Sequence, residues 1–294
     1  MKILIVGAKG LLGNTMLLAC QKAKLEVIGS DVSDPGGIDI TSKDSINSFL
    51  EKTTPDVVIN CAAYTKVEAC ETEAGYKIAK AVNADGPILL AKICQEKNVN
   101  FVHLSTDYVF GDNNPEGYPE DYAIFKPLNK YAETKLLAEK GIITLINNIR
   151  NAKCQMPNAF LYIIRTSWLF GLGAQNFIAK ILEQAATKPE LTVVTDEISS
   201  PTYVQDLAER IIYILQNNLA SGIYHVSGLG KASRYDFAKE ILRNAKINIP
   251  IKAAKLADYP RQATIPNISY LINTKLPAMR TWQEMVTAYF QDQT

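Results

Sequence analysis

The chain has 294 residues, 47% of them hydrophobic, and its 31 basic residues almost balance 30 acidic ones. A near-neutral charge argues against a nucleic-acid-binding protein, which carries a basic excess on one face, and no apolar run approaches the roughly 20 residues of a membrane span. The cysteines are scattered without C-x-x-C spacing, which predicts free thiols in a reducing cytoplasm rather than a disulfide framework or a zinc site: Cys20, Cys61, Cys70, Cys94 and Cys154.

The first half of the chain alternates short apolar runs with helical patterns. The runs predicted as strands are Ile3–Val6, Leu25–Gly29, Asp56–Asn60 and Phe101–Leu104. The predicted helices are Leu11–Ala23, Ser45–Lys52 and Glu71–Lys97, the last as one helix or two. Because strands without polar alternation are buried on both faces, this order predicts an α/β fold with a doubly wound parallel sheet.

The second half is less regular. Strands are predicted at Leu161–Ile164 and Leu191–Val194, and helices at Phe177–Ala186, Val204–Asn217, Tyr235–Asn244 and Trp282–Phe290, the last as a docking helix. We expect residues 1–160 to form mainly the large sheet domain. Residues 161–294 should form mainly a smaller mixed α/β C-terminal lobe, with some segments returning to the sheet. Residues 147–158 make an unusually long connection and are predicted as a surface insertion.

A glycine motif, GAKGLLG at residues 7–13, follows the first strand and opens the first helix. Gly7 allows a tight turn, Gly10 lets the backbone approach a pyrophosphate, and Gly13 permits close helix–strand packing. The phosphates would then bind at the helix N-terminus, at Leu11 and Leu12, where free N–H groups favour anions. The motif in this context predicts a Rossmann-type dinucleotide-binding domain.

An acidic residue, Asp31, ends the second strand about twenty residues later, where it can bind the adenosine ribose and repel a 2′-phosphate. Lys9 in the glycine loop could tolerate that phosphate, so both NADH and NADPH remain open as cofactors. Asp39 and Ile40 follow as a predicted adenine-contacting pair.

Small residues follow the third strand, where a parallel sheet leaves room for a cofactor. Ala62, Ala63, Tyr64 and Thr65 are therefore predicted to line the dinucleotide site. Asn83, on the helix beyond, is predicted to join them or to organise a helix kink.

A Tyr-x-x-x-Lys pair provides the predicted catalytic chemistry. Tyr131 and Lys135 share one helix face, and Thr106 follows the strand at Phe101–Leu104. An ammonium near a phenol should favour the phenolate and lower the pKa of Tyr131, while the Thr106 hydroxyl orients a substrate carbonyl. The two histidines, His103 and His225, lie in apolar segments and are predicted to be packed core residues.

The chain resembles the dTDP-4-dehydrorhamnose reductase family of extended short-chain dehydrogenases. The matching stretches are GAKGLLG, DIT at 39–41, NCAAYTKVEACE at 60–71, LSTDYVFGD at 104–112, PLNKYAETKLLAE at 127–139, RTSWLFG at 165–171 and SPTYVQDLA at 200–208. The resemblance implies NADH- or NADPH-dependent reduction of the 4-keto group of a nucleotide-linked 6-deoxyhexulose, giving dTDP-L-rhamnose.

The same resemblance assigns roles to individual residues. Tyr131 would donate the proton, Lys135 would be its partner and a ribose ligand, and Thr106 would complete the triad. Asp107, Tyr108 and Trp168 would line the sugar. A nucleotide sugar is the implied partner, and a homodimer is possible.

One position departs from the family pattern. The family usually carries R-P-x-x-S-x-L near the C-terminus, whereas this chain has IPNISYL at 265–271, so Ile265 replaces the arginine. Arg261 could compensate, or the substrate could lack the group that the arginine recognises.

Two other functions are compatible with the motifs. A regulatory subunit could keep the fold and the dinucleotide, as the regulatory subunit of methionine adenosyltransferase does, but it would not need the Thr106, Tyr131 and Lys135 set. A nucleotide-sugar epimerase or dehydratase would use the same set while retaining its cofactor through the cycle.

Overall fold

A computed structural model describes residues 1–151, 159–173 and 176–293. The strands in chain order are β1 Lys2–Val6, β2 Glu26–Ser30, β3 Val57–Asn60, β4 Asn100–Thr106, β5 Leu161–Thr166, β6 Leu169–Phe170, β7 Leu191–Val194, β8 Ile198–Ser199, β9 Thr202–Tyr203, β10 Gly222–His225, β11 Ala232–Ser233 and β12 Ile251–Ala254. The α-helices are α1 Leu11–Lys22, α2 Lys43–Thr53, α3 Glu73–Lys80, α4 Gly86–Glu96, α5 Lys130–Asn151, α6 Phe177–Thr187, α7 Val204–Gln216, α8 Arg234–Ala245 and α9 Trp282–Gln291.

The central sheet has six strands in the order β10-β5-β4-β3-β1-β2, and all of its neighbours are parallel. This order confirms the predicted Rossmann-type doubly wound fold. Two of the strands, β5 and β10, come from beyond residue 160. The division of the chain into domains at that residue remains a prediction.

Alternate side chains of the central strands enter two separate cores. Ile3 and Ile5 of β1 pack on the face that carries α1 and α7, whereas Leu4 and Val6 pack on the face that carries α2, α4 and α5. All four side chains are at most 1% exposed. Burying each such side chain contributes about 1.5–3 kcal/mol, which explains why β1 has an uninterrupted apolar run from Ile3 to Val6.

The smaller lobe is built from short strand pairs and the helices α6, α8 and α9. β12 pairs in parallel with β7, and β11 pairs antiparallel with β8. α9 begins at a capping box in which Thr281 and Glu284 bind each other's backbone N–H, and it buries Trp282 and Met285 against the lobe. The predicted C-terminal docking helix is therefore confirmed.

Two predicted segments differ in detail. The predicted helix over Glu71–Lys97 is divided into α3, one turn of π-helix at Ala81–Asp85, and α4. Of the predicted insertion at 147–158, the first five residues continue α5, and residues 152–158 lie outside the described ranges. None of the described helices combines the length and hydrophobicity that a membrane span requires.

Candidate active site

The glycine loop has the geometry that the motif predicts. Gly7 has a φ of +77°, and a Cβ there would lie 2.6 Å from the Ala62 nitrogen. A Cβ on Gly13 would lie 2.1 Å from the Gly7 oxygen, whereas one on Gly10 would meet only that oxygen, at 3.4 Å. Gly7 and Gly13 are thus required for packing, and Gly10 leaves open space above the start of α1.

The N-terminus of α1 presents main-chain groups to this space. Its N-cap residue, Gly10, supplies no side-chain cap, and the first N–H groups of a helix have no partner within it. The Leu12 side chain is 8% exposed and Leu11 packs against the same core. Both residues can therefore bind a pyrophosphate only through their backbone.

A cleft of about 310 Å³ opens beside this loop. It unites predicted cofactor residues from the segments that follow three strands, namely Gly7, Gly10, Asp31, Asp39, Ile40, Ala62 and Ala63. The cleft also contains Val32 and Val82, which the sequence analysis did not identify. Its position at the carboxyl edge of β1, β2 and β3 is where a doubly wound sheet binds nucleotides.

The acidic end of β2 is prearranged. Asp31 Oδ1 accepts hydrogen bonds from Ser33 N at 3.1 Å and Ser33 Oγ at 2.8 Å. Burial raises the pKa of Asp31, but the hydrogen bonds from Ser33 and from the Lys9 backbone outweigh it and lower that pKa. Lys9 Nζ itself binds Asp34 Oδ1 at 2.5 Å and Ser33 Oγ at 3.0 Å. The ribose end of the cleft therefore carries two carboxylates and one ammonium.

Asn83 supports the site through hydrogen bonds to the loop that follows β3. Its side chain is fully buried in the π-helical turn; its Oδ1 accepts from Tyr64 N at 2.7 Å, and its Nδ2 donates to Tyr64 O at 3.0 Å and to Thr134 Oγ1 at 3.3 Å. Asn83 thus holds the loop at Tyr64, and its contact with the cofactor remains a prediction. The predicted kink is present as the π-helical turn.

Two buried hydroxyls without partners lie at the carboxyl ends of β4 and β5. Ser105 Oγ and Thr166 Oγ1 have no hydrogen-bond partner in the described part of the chain. An unsatisfied buried hydroxyl costs about 1–3 kcal/mol, so these two groups are expected to bind a ligand. They continue the line of the cleft along the sheet edge, and with the open glycine loop they fit a dinucleotide.

Tyr131 and Thr106 lie together, as predicted. Tyr131 is half-buried at the start of α5, and Tyr108 packs edge-on against it with ring centroids 6.3 Å apart. Burial raises the pKa of Tyr131 well above its ordinary value, Asp107 raises it further, and the hydrogen bond with Thr106 lowers it only in part. The phenol therefore stays protonated at neutral pH.

The pKa of Tyr131 is raised, whereas the sequence analysis predicted that Lys135 would lower it. Lys135 Nζ donates to Leu104 O at 2.5 Å and contacts His103 Nε2 at 3.3 Å. Burial lowers the pKa of Lys135 to about 8, and Glu139, one helical turn further along α5, opposes that change. The ammonium is turned toward β4 because strand groups offer hydrogen bonds there.

A buried ion pair anchors α5 at Glu139, one helical turn after Lys135. Arg165 forms two hydrogen bonds with Glu139, at 2.9 and 2.6 Å, and both side chains are at most 1% exposed. Arg165 also contacts His225. The sequence analysis missed this pair, although the spacing of Tyr131, Lys135 and Glu139 places all three on one helix face.

Asp107 connects the two halves of the molecule instead of lining an open cavity. Its side chain is 2% exposed; Oδ1 accepts from Thr106 at 3.1 Å, and Oδ2 accepts from Ser199 at 2.8 Å and Ser269 at 2.5 Å. Burial raises the pKa of Asp107 to about 6. The two serines come from the smaller lobe. Ser269 is the serine of the R-P-x-x-S-x-L pattern, but the sequence analysis gave neither serine a role.

A second cavity of about 620 Å³ lies in the smaller lobe. The Arg234 guanidinium stacks 3.5 Å from the centroid of the Trp168 ring and binds Glu197 at 2.9 Å. Trp168 has a φ of +42°, and its buried Nε1 has no partner among the described residues. A strained tryptophan with an unsatisfied donor is typical of a binding site, and the role of Trp168 in lining the sugar remains a prediction.

Ile265, which replaces the family arginine, and the nearby Arg261 differ in exposure. Ile265 is 4% exposed, whereas Arg261 lines the larger cavity. Arg261 Nε binds Glu68 Oε1 at 2.7 Å, and Glu68 Oε2 accepts from the Gln262 and Ala263 nitrogens. Arg261 is therefore the residue of this segment that reaches the cavity.

Comparison with known proteins agrees with this geometry. The family model described as RmlD substrate binding domain matches residues 1–294. A dTDP-4-dehydrorhamnose reductase from Aggregatibacter actinomycetemcomitans is 36% identical over 287 residues, which cover 94% of this chain and 92% of that protein.

Solved structures give the same result. The crystal structure of a dTDP-4-dehydrorhamnose reductase from Clostridium acetobutylicum has a TM-score of 0.88 and 34% identity, covering 100% of this chain and 99% of that one. The Bacillus anthracis reductase in complex with NADP has a TM-score of 0.88 and 29% identity, covering 99% and 100%. A family model matched over the whole length, together with these relatives, shows that the chain belongs to the dTDP-4-dehydrorhamnose reductase family.

Proposed function

We propose that this protein reduces the 4-keto group of a nucleotide-linked 6-deoxyhexulose, with dTDP-4-dehydrorhamnose as substrate and dTDP-L-rhamnose as product. The observation that carries the proposal is the placement of the Tyr131 phenol, which is hydrogen-bonded to Thr106 and packed against Tyr108. Relatives named dTDP-4-dehydrorhamnose reductase support the substrate assignment.

The cofactor proposed is NADH or NADPH. The cleft beside Gly7 and Gly10 and the unsatisfied hydroxyls of Ser105 and Thr166 would hold it, and the Bacillus anthracis relative was crystallised with NADP. When bound, the reduced nicotinamide supplies the hydride that the reaction needs. The protein supplies the binding, the orientation and the proton.

The raised pKa of Tyr131 suits reduction. A carbonyl that gains a hydride needs a proton on its oxygen, and a phenol that is protonated at neutral pH can donate it. Thr106 orients the carbonyl beside the phenol. Positive charge on Lys135 then stabilises the phenolate left behind, so the ammonium acts after the proton has moved.

The larger cavity is proposed to hold the nucleotide diphosphate of the substrate. Its lining includes three basic residues, Lys180, Arg234 and Arg261, and the aromatic face of Trp168. Guanidinium groups bind phosphates in forked geometry. Tyr108 packs against Tyr131, and the charges of Glu197, Arg234 and Arg261, which line the cavity, act on its pKa.

A turnover assay tests the proposal. Purified protein is mixed with NADH or NADPH and with a panel of dTDP-, GDP- and UDP-linked 4-keto sugars, and cofactor oxidation is followed. We expect stoichiometric oxidation with the dTDP-linked 4-keto-6-deoxyhexulose. Cofactor binding without turnover would support a regulatory protein, and sugar conversion without net oxidation would support an epimerase or dehydratase.

Two further features are proposed with the function. The described cysteines Cys20, Cys61, Cys70 and Cys94 are free thiols, which supports a cytoplasmic location; Cys154 lies outside the described residues. A homodimer remains a prediction from the family resemblance, and sedimentation of the purified protein would test it.

A further inference from the structure

The two histidines are buried in contrasting hydrogen-bonding environments. His103 on β4 and His225 on β10 are each 0% exposed. Burial holds the pKa of both imidazoles well below its usual range, so both rings are neutral at ordinary pH. A neutral imidazole has one N–H donor and one acceptor nitrogen, and its partners decide which nitrogen carries the hydrogen.

His225 has complementary partners. Arg165 Nη1 lies 3.3 Å from its Nε2, and a guanidinium can only donate. The Ile272 carbonyl lies 3.1 Å from Nδ1 and can only accept. His225 is therefore fixed with its hydrogen on Nδ1 at every pH at which the ring is neutral.

His103 has partners that conflict. Asn60 Nδ2 lies 3.5 Å from Nδ1, and Lys135 Nζ lies 3.3 Å from Nε2. The Asn60 amide is oriented by the Ala62 N–H, which donates to its Oδ1 at 3.2 Å. Asn60 thus presents a donor to His103. Lys135 as an ammonium presents a second donor, and one neutral ring cannot accept both.

The conflict disappears when Lys135 is uncharged. An amine has a lone pair, which can accept from a hydrogen on His103 Nε2 while Nδ1 accepts from Asn60. The amine can still donate to the Leu104 carbonyl, 2.5 Å away. When Lys135 is protonated, Nε2 must accept, the ring hydrogen must be on Nδ1, and the Asn60 contact is lost.

We propose that His103 is a positioning residue that exchanges its two neutral tautomers as Lys135 gains or loses a proton, with Asn60 and Lys135 competing for one acceptor. When the Lys135 amine becomes an ammonium, it takes one proton from solvent. The ring carries one hydrogen before and after, on Nε2 with the amine and on Nδ1 with the ammonium. The inference rests on the proposed function only for its consequence in turnover.

The other groups near this network do not provide the switch. Glu139, on α5 itself, faces Lys135 and is held by Arg165 from β5. Cys61, after β3, has the pKa of its thiol raised to about 12 by burial and stays neutral. Tyr131, one turn before Lys135 on α5, stays protonated because burial raises its pKa. Lys135 is then the group that titrates near neutrality, with a pKa of about 8.

The consequence for catalysis is that Asn60 opposes the charged form of Lys135. Donation from Asn60 to His103 favours the Nε2–H tautomer and so the amine. A ligand that stabilises the ammonium must displace this contact. The Asn60–His103 pair would thus hold a fraction of Lys135 as the amine until a ligand in the dinucleotide cleft favours the ammonium.

The test is imidazole ¹⁵N NMR on the protein without cofactor or sugar, titrated from about pH 6 to about pH 10. The chain has only two histidines, and a His225→Asn variant assigns their signals. Below about pH 8 we expect the ¹⁵N shifts of His103 to show the hydrogen on Nδ1, and above it on Nε2, while the ring stays neutral. The His225 shifts should remain constant, as an internal control.

Two variants sharpen the result. Lys135→Met should hold His103 as the Nε2–H tautomer at every pH. Asn60→Ala should move the midpoint to higher pH because a competing donor is removed. Two outcomes would overturn the proposal. In one, the His103 shifts of the wild-type protein stay constant with pH; in the other, the Lys135→Met variant shows the same pH-dependent change as the wild-type protein. Because no substrate is present, these outcomes are independent of whether the protein is a reductase.

Discussion

The dinucleotide cleft and the larger cavity are constructed in different ways. The cleft is formed by main-chain groups and small residues at strand ends, such as Gly7, Gly10 and Ala62. The cavity is formed by long side chains from distant segments, such as Trp168, Glu197 and Arg234. A site built from backbone requires particular residue types at fixed spacing, whereas a site built from side chains requires only that the fold bring them together.

Tyr131 is the proposed proton donor of the reaction that joins the contents of these two regions, and its replacement should have the largest effect. Tyr131→Phe removes only the phenolic hydroxyl, and positioned acid–base groups contribute about 10²–10⁴-fold to rate. We expect kcat to fall by about that factor with cofactor affinity unchanged. The matched control is Tyr162→Phe, which removes a core hydroxyl bonded to Leu219 O; turnover close to the wild-type value in Tyr131→Phe would contradict the assigned role.

Asp107 connects β4 to Ser199 and Ser269 of the smaller lobe, and its burial should make the stability of the fold dependent on pH. Its pKa is raised from 3.8 to about 6 in the folded protein, so the folded state binds the proton more tightly than the unfolded state. This stabilisation is complete below about pH 4 and is lost as pH rises through about 6. At 1.36 kcal/mol per unit the loss is about 2–3 kcal/mol.

The measurement is the free energy of unfolding between pH 4 and pH 7 for the wild-type protein and for Asp107→Asn. The difference between them isolates Asp107 from the other carboxyl groups. We expect the wild-type protein to lose stability relative to the variant across this range. A difference that is constant with pH would show that the Asp107 carboxylate is not destabilised by burial.

The cavity should depend on Arg261 rather than on residue 265. A hydrogen bond to a charged group contributes about 1.5–3 kcal/mol, so Arg261→Ala should raise the KM for the sugar nucleotide by about tenfold or more. Ile265→Arg should give no improvement because Ile265 is buried. A Glu68→Gln variant controls for the loss of the Arg261 ion pair alone.

Opposite results would identify a different contact. A lower KM for the sugar nucleotide in Ile265→Arg would show that an arginine at position 265 binds a substrate phosphate, which the wild-type isoleucine cannot do. If neither change matters, the natural substrate lacks the group in question, and the reductase chemistry would stand without dTDP-rhamnose as its product.

The ribose end of the cleft should show the smallest effect. We expect a modest preference for NADH, since Asp31 disfavours a 2′-phosphate while Lys9 reduces that penalty. Exposed charge pairs contribute about 0.2–1 kcal/mol, so Asp31→Ser should shift the kcat/KM ratio toward NADPH by about two- to fivefold. Asp44→Ser, on the exposed start of α2, is the control. A strong preference of the wild-type protein for NADPH would contradict the role given to Asp31.

The difference between the regions also explains what the sequence could predict. β1 and β3 each contain a continuous apolar run, Ile3–Val6 and Val57–Ile59, because both faces are buried, and these runs located the strands. The strands β6, β8, β9 and β11 have two residues each and carry no period. Ser199 and Ser269 were missed because a serine that binds Asp107 is indistinguishable in sequence from any other serine.

The chemistry was predicted in part. The spacing of Tyr131 and Lys135 located both residues, but it could not show where Nζ points. That direction is decided by His103 and the Leu104 carbonyl, which are strand groups remote in sequence. The effect of burial on the pKa of Tyr131 likewise depends on the whole fold and not on its helical neighbour.

The central claim is hydride transfer from a nicotinamide to the C4 carbon of a nucleotide-linked keto sugar. Its most direct test uses NADH or NADPH carrying deuterium at both C4 positions of the nicotinamide, with dTDP-4-dehydrorhamnose as substrate and analysis of the product by NMR and mass spectrometry. We predict a single deuterium on C4 of the product sugar, formed in proportion to the cofactor oxidised. A product without deuterium at that carbon, or cofactor recovered still reduced after the sugar has been converted, would contradict the account.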